Sequence, residues 1–548
     1  MSGLALLANT VTAAAAAPAR ARLEAALRDP GAAQGAILRR ILRGVEHSEY
    51  GRRVGAAGIR DGADFAARVP LVEFDDLAPW IERIARGDQR VLTSAPVRFM
   101  EPTGGSSGYL KLVPYTDALL AEFGAATMPW LFDLLTRRPA LRGGRAYWAI
   151  TPPSRRETHT AGGLAIGMQD DADYFPAPLR ALLRRSLAVP GAVARTGQIG
   201  TCRYLTLLAL LGASDLRLIS VWSPSFLTLL VQALDEAWDR LLHDLERGTI
   251  SVPLPRAAAL RLARELPAQA ARARALRARF GPRPPEDLGQ LWKQLALISC
   301  WTGGHAATAL RAVDARFPRV EVQGKGLLAT EGVVSIPLFG AGAPALAITS
   351  HYLELLDPRD GRTVPLQLAD TGGSYEVALT TGGGFLRYRL RDLVRVEGML
   401  HRTPMVSFMG RADCASDLAG EKLTPGLAER AIADAMAATG VNAAFVMLAP
   451  ALHPSPHYRL YVEGTAQEAH RLGSAVEREL GRAHHYALCR TLGQLAPVQG
   501  VGVHDGHRRY ERACAERGQR SGSVKPPALE CGIDLAVALG SEPLVAAR

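Results

Sequence analysis

Leu216-Arg217-Leu218-Ile219-Ser220-Val221-Trp222-Ser223-Pro224 reads as a short strand running into a helix. Apolar residues crowd the run, and a Ser-Pro pair opens an apolar helix expected through Ala237. The device recurs at Leu295–Trp301, which ends on Thr302-Gly303-Gly304 before another helix. Arg145–Thr151 is a further strand-like run, entering a loop rich in Pro and Gly. Short apolar strands that end in Ser/Gly turns and open helices specify an α/β protein with ligands at the strand ends.

Working outward, residues 20–100 read mainly as helices, with apolar residues at three- and four-residue spacing over Arg20–Leu27 and Gly35–Val45. Thr116-Asp117 should cap a helix reaching about Thr136. The Arg- and Ala-rich stretch from Leu254 to Pro284 reads as a solvated helical hairpin. From Leu346 to Val396 the pattern turns to β, with runs at Tyr352–Leu355, Thr363–Leu368, Tyr375–Thr380 and Arg387–Val396 around Gly382-Gly383-Gly384. A boundary is expected at Gly410-Arg411. It separates a large domain, 1–410, from a smaller α+β domain, 411–548, with strands at Ala443–Leu448 and His457–Glu463 and a helix at Gln467–Leu480.

The composition excludes several classes. At 548 residues with 48% hydrophobic and 21% charged residues, the chain is globular and too long for one ordinary core. The net charge of +11 comes from arginines spread along the chain, with only 6% aromatic residues, so no nucleic-acid partner is expected. Six scattered cysteines without a C-x-x-C pair indicate neither a disulfide framework nor a zinc site, and fit a reducing, cytoplasmic setting. No uncharged apolar stretch in the body of the chain is long enough to span a membrane. The uncharged N-terminal residues read as a helix, not a signal peptide, because no basic segment precedes Leu4–Leu7.

Chemistry concentrates in Glu101-Pro102-Thr103-Gly104-Gly105-Ser106-Ser107-Gly108-Tyr109-Leu110-Lys111. Hydroxyls, bare amides and one cation within nine residues suit a polyphosphate. Gly104-x-Ser106-x-Gly108 also matches a hydrolase nucleophile elbow, but that turn needs a helix at once after the serine, and Pro114 lies in an extended segment there. An ordinary surface loop is the plainer alternative. Of 64 Lys and Arg, only five are lysines: Lys111, Lys293, Lys325, Lys422 and Lys525. In so Arg-biased a chain, lysine persists best where a compact ammonium is required. That points to Lys111, Lys422 and Lys525, which lie in segments notable on other grounds. Thr330-Glu331 could bind the magnesium of a nucleotide, or Thr330 could cap a helix. Asp392 could accept two ribose hydroxyls, or pair with a nearby arginine.

These segments, in this order, resemble the auxin-responsive acyl-acid amido synthetases (the Gretchen Hagen family), a branch of the adenylate-forming enzymes. Thr103–Gly108 with Lys111 and Val113-Pro114-Tyr115 is similar to the family's S-G-T-T-x-G-K-x-K-F-I-P-F. Leu327-Leu328-Ala329-Thr330-Glu331 is similar to Y-x-S-S-E. Phe385–Asp392 is similar to L-Y-R-Y-R-L-G-D. Phe408–Asp413 leads to Glu421-Lys422, and Lys525-Pro526 resembles a late lysine motif. The chain departs from the pattern at Gly105, at Tyr109, at Leu327 near the expected adenine, and at Arg391, where the family has Gly.

The resemblance implies an adenylate-forming fold and an ATP- and Mg²⁺-dependent ligase. A carboxylic acid would be activated as its acyl-adenylate and passed to an amine, an amino acid. Thr103, Gly104, Ser106, Ser107, Gly108 and Lys111 would hold phosphates. Thr330 and Glu331 would serve the nucleotide, with Glu331 on magnesium, and Asp392 would take the ribose. Lys525, with Lys422, would be catalytic, and Gly410–Asp413 would be a hinge. The acyl pocket is expected near Tyr147–Thr151, Trp222 and Cys300–His305, with core packing as the alternative for Trp222 and Trp301. Rival readings are an acyl-CoA ligase and a non-catalytic binding protein.

Overall fold

The computed structural model describes residues 2–104, 110–149, 159–167, 177–196, 198–303, 306–412, 416, 418–419, 421, 423–491, 493–517 and 524–540. The opening stretch forms the expected unit. Strand Leu216–Ser220 is followed by helix Pro224–Arg247, with the Ser223 hydroxyl as its cap and Pro224 at its first position. The helix runs past the expected Ala237 and stops where Gly248 takes a left-handed conformation.

Four parallel strands lie in sequence order: Arg145–Trp148, Leu216–Ser220, Leu297–Cys300 and Glu321–Gly324. Helices Ile199–Gly212, Pro224–Arg247, Ala270–Phe280 and Ala306–Arg316 contribute to one core with them, through Leu205, Leu208, Ile219, Trp238, Leu241, Leu276, Ile298 and Val313. The Arg-rich hairpin is present as Arg256–Glu265 and Ala270–Phe280, anchored by buried Leu262, Ala273 and Leu276.

The β region forms a seven-stranded antiparallel sheet, in the order Thr363–Val364, Tyr352–Leu356, Ser374–Thr380, Tyr388–Leu400, Thr403–Arg411, Ala345–Leu346, Ser335–Ile336. Thr363–Leu368 is strand only at its start. Pro365 removes a ladder donor, and the chain turns into a short 3₁₀ segment at Leu366–Leu368. A second core joins this sheet to the N-terminal helices, including Phe65, Leu77, Tyr115, Phe123, Ile348, Val377 and Val394.

Helix Asp117–Arg137 ties the two sheets together. The Thr116 hydroxyl accepts the Leu119 N–H at 3.2 Å and donates to the Gly382 carbonyl at 2.9 Å. Glu122, buried in this helix, accepts the Gly382 N–H at 2.9 Å and faces His351 Nδ1 at 2.9 Å and Arg40 Nη2 at 3.2 Å. Gly384 has φ +96°, and a Cβ there would meet the Leu92 carbonyl oxygen at 2.6 Å, so only glycine fits this turn. Among the described residues one helix, this one, is long and apolar enough to cross a membrane. Here Leu119, Phe123, Ala126, Leu131 and Leu134 are buried in the protein, and its Trp130, Leu134 and Leu135 share an apolar cluster with Ala13 of the N-terminal helix Ser2–Arg28.

Beyond residue 411, strands Val446–Ala451, His457–Glu463 and Gln499–Val503 carry helices Pro425–Thr439, Ala466–Leu480 and Gly506–Glu516. Their apolar faces close on two further cores, one around Leu448, Tyr458, Leu472 and Val476, the other around Phe445, Met447, Tyr461 and Tyr510.

Candidate active site

Lys525 is set by backbone pairing. Leu448 N–H donates to Ala528 O at 2.8 Å and Glu530 N–H donates to Leu448 O at 2.8 Å, so residues 528–530 extend the last sheet as an added edge. The segment before them is thereby directed out of this sheet onto the end of the parallel one. Lys525 Nζ lies 4.1 Å from the centroid of the Trp301 ring, just beyond strand Leu297–Cys300. Desolvation at this junction brings the ammonium down to about 8, while the Asp392 carboxylate opposes the fall. A cation–π contact and a nearby carboxylate keep a charge tolerable there.

Asp392 sits on strand Tyr388–Leu400 with its side chain nearly enclosed. The three arginines beside it have other partners. Arg387 binds Glu354 and the carbonyls of Ala66 and Val69, at 2.8–3.1 Å. Arg389 binds Glu376 at 2.8 Å, and Arg391 pairs with Glu73 and Glu376. Asp392 pairs instead with Arg411, its register partner on the adjoining strand, at 3.7 Å. Asp392 therefore faces Arg411 and the Lys525 side, not the arginines of its own motif.

Thr330-Glu331 forms the tip of a tight turn, neither a strand end nor a helix cap. Ala329 and Gly332 exchange backbone hydrogen bonds at 2.9 and 3.2 Å, and the Tyr115 hydroxyl donates to Thr330 O at 2.7 Å. Tyr115 ends strand Leu110–Tyr115, which carries Lys111, so the turn and the phosphate-loop hairpin are joined directly. Burial raises the Glu331 carboxyl above the usual range, while Arg411, Lys111 and the Tyr388 hydroxyl, 3.5 Å away, pull it back down. Lys111 Nζ lies 5.1 Å from the Phe74 ring centroid. Thr103 and Gly104 close strand Phe99–Gly104, paired with Lys111 and Leu110. Ser106, Ser107, Gly108, Lys422 and hinge residue Asp413 lie outside the described residues.

The fold thus brings together Lys111, Glu331, Asp392 and Lys525, drawn from four separate segments. The GH3 family N-terminal domain matches residues 19–322 and the GH3 family central domain residues 345–411. This chain belongs to the GH3 family. It is 30% identical over 446 residues to the probable indole-3-acetic acid-amido synthetase GH3.12 of Oryza sativa subsp. japonica, covering 71% of this chain and 70% of that protein. It is 25% identical to indole-3-acetic acid-amido synthetase GH3.10 of Arabidopsis thaliana, over 85% and 86% of the two chains. The fold is that of the solved GH3.15 acyl acid amido synthetase, with a TM-score of 0.83 at 19% identity over 95% of each chain.

One departure from the GH3 pattern has a physical counterpart. Arg391 stands where the motif carries glycine, and its φ is +62°, in the left-handed region. Arginine holds that conformation through its pairs with Glu73 and Glu376.

The parallel-sheet ends also border an apolar cavity of about 830 Å³, counting its open mouth. Phe123, Thr127 and Trp130 of helix Asp117–Arg137, Trp148, Ala149 and Trp222 line it. Three of the residues expected by neighbourhood are therefore there: Trp222, and Trp148 and Ala149 of the 147–151 run. Trp301, by contrast, lies under Lys525 and borders the junction with the C-terminal part. Neither is ordinary packing alone. The wall also contains Lys325, whose Nζ is 2.8 Å from Ser220 Oγ. Sequence reasoning passed over Lys325, although lysine scarcity marks it, and placed Arg411 in the hinge motif without foreseeing its pairing with Asp392.

Proposed function

We propose that this GH3 chain is an ATP-dependent, AMP-forming acid–amino acid ligase. The acid's carboxylate oxygen bonds to the α-phosphorus of ATP, the bond to the bridging oxygen breaks, and pyrophosphate leaves. The amine nitrogen of an amino acid then bonds to the acyl carbon, AMP leaves with the electron pair, and the amine gives up a proton. The observation that carries this reading is the meeting of Lys525 with Trp301 and Asp392, since nothing in local sequence requires a C-terminal lysine to reach the sheet ends.

In this reading Lys525 donates to the phosphoryl oxygens as negative charge develops, and the half-buried site strengthens that contact. Asp392 accepts the ribose hydroxyls, and Arg411 fixes its orientation. Lys111 and the loop from Thr103 to Gly108 hold the phosphates, while Lys422 is assigned a catalytic role by the motif resemblance. Glu331 would hold Mg²⁺ through its carboxylate, and the ion would supply positive charge to offset that of the phosphates; among the described residues there is no cluster of three or more His, Cys, Asp or Glu that could hold a metal without the nucleotide. Gly410, at φ +138°, is the pivot at which the C-terminal part, 411–548, reorients between half-reactions. The Trp-lined cavity takes the acyl body. As proteins named for indole-3-acetic acid and jasmonate conjugation are relatives, aromatic and cyclic acids lead the panel of candidates.

The test is acid-dependent ATP–pyrophosphate exchange, followed by acceptor profiling with amino acids and coenzyme A. Exchange that needs a particular acid, collapses in Lys525→Ala and yields an amide supports the assignment. A thioester product would make the chain an acyl-CoA ligase, and absence of both exchange and ATP binding would leave a binding protein.

A further inference from the structure

Resting on the ligase reading, we infer that Lys325 selects acyl acids carrying a second acceptor group, best an anionic one, at the end remote from the carboxylate that is activated. Lys325 directly follows strand Glu321–Gly324, and its backbone N–H donates to Cys300 O at 2.8 Å, which fixes its entry into the cavity. Its ammonium is held over two rings, 4.8 Å from the Trp222 centroid and 5.8 Å from that of Trp130. Among the described lining residues Lys325 is the only charged side chain, the rest being aromatic, aliphatic or hydroxyl-bearing.

The direction of the ammonium decides which end of the acid it meets. Ser220 ends the strand and Trp222 lies two residues beyond it; both line the cavity, with Ser220 nearer the sheet. The 2.8 Å contact with Ser220 Oγ draws Nζ toward the sheet, at the last residue of the strand. The adenylation side is elsewhere, at Trp301 under Lys525. An acid whose body packs among Trp130, Trp148 and Trp222 with its reacting carboxylate toward Lys525 would place its far end at Lys325. There a carboxylate or phenolic oxygen would receive a charge-assisted hydrogen bond in an apolar wall, where such bonds discriminate strongly against an analogue lacking the group. An ammonium rather than a guanidinium suits a point contact in a cavity lined by rings.

The test pairs acids of similar size, terephthalate against 4-methylbenzoate and suberate against octanoate. Two readouts are used: pyrophosphate exchange, and ATP-free titration of tryptophan fluorescence. Wild type should favour the two-ended acid in each pair by about tenfold or more. Lys325→Met should reverse the ranking while its exchange still depends on Lys525. Lys325→Gln is run beside it, with thermal melts, so that a misfolded variant does not decide the result. An unchanged ranking in folded variants overturns the inference, as does loss of exchange with every acid, which would place Lys325 at the reacting carboxylate. Selective binding of two-ended acids without any exchange would sink the ligase reading and leave the pocket assignment standing. Neither binding nor exchange would remove both.

Discussion

Lys525 illustrates how a single side chain can be tuned by place. Its ammonium sits over Trp301 in a junction that brings it down to about 8, so the charged form weakens as pH rises through that value. The adenylation half-reaction should therefore lose kcat/KM for ATP on an alkaline limb near pH 8. Lys525→Arg, which stays charged, should move that limb upward while lowering the rate. A pH profile of pyrophosphate exchange on both proteins checks this, and an alkaline limb unchanged in the arginine variant would assign it elsewhere. Asp392 offers a second test. Replacing a nearly enclosed carboxylate that accepts ribose hydroxyls with Asn should raise KM for ATP by about 10- to 100-fold, and kcat less, in steady-state assays. A change confined to kcat would rule out the ribose role.

At the scale of elements, helix Asp117–Arg137 is the keystone. Its Glu122 accepts the Gly382 N–H, faces His351 and pairs with Arg40, so one buried carboxylate clamps three segments. Glu122→Ala would leave those donors unsatisfied and should cost about 3 kcal/mol in urea unfolding. An effect below about 1 kcal/mol would show that the segments are held by packing alone. Arg391 presents the opposite balance. Arg391→Gly relieves a left-handed arginine, worth about 1 kcal/mol, and loses its pairs with Glu73 and Glu376. Thermal melts should place the variant within about 1 kcal/mol of wild type.

For the whole molecule, the seating of the C-terminal part is what assembles the site. Arg203 of helix Ile199–Gly212 reaches Glu511 of helix Gly506–Glu516 at 2.7 Å, with both side chains mostly covered. The neighbouring His507 is brought down to about 4 by burial, with Glu511 opposing and Arg203 assisting, so it stays neutral near pH 7 and adds no charge to the seam. Glu511→Ala should loosen this seating and lower pyrophosphate exchange about tenfold, while amide formation from a supplied acyl-adenylate changes little. Equal losses in both half-reactions would argue against a seating specific to adenylation.

The sequence by itself determined the periodic elements and the inventory of chemistry. Ser-Pro and Thr-Asp starts and alternating apolar runs act through neighbours a few residues away, and so the start of the helix at Pro224 and the strand at Tyr388 were legible, while the Gly248 stop was passed over. The order of motifs made Lys111, Glu331, Asp392 and Lys525 stand out, because phosphate and ribose chemistry restricts residue type. Only the tertiary structure decided which of these groups meet. Asp392 faces Arg411 across a strand rather than the arginines beside it, since each of those has its own glutamate. Trp301, which local pattern leaves as one more core aromatic, supports the lysine from the far end of the chain. Lys325 enters an apolar cavity because strand pairing carries Gly324 beside Cys300. Contacts of this kind join residues from 19 to 224 positions apart, and no local pattern encodes them; they follow from how strands pair and sheets pack.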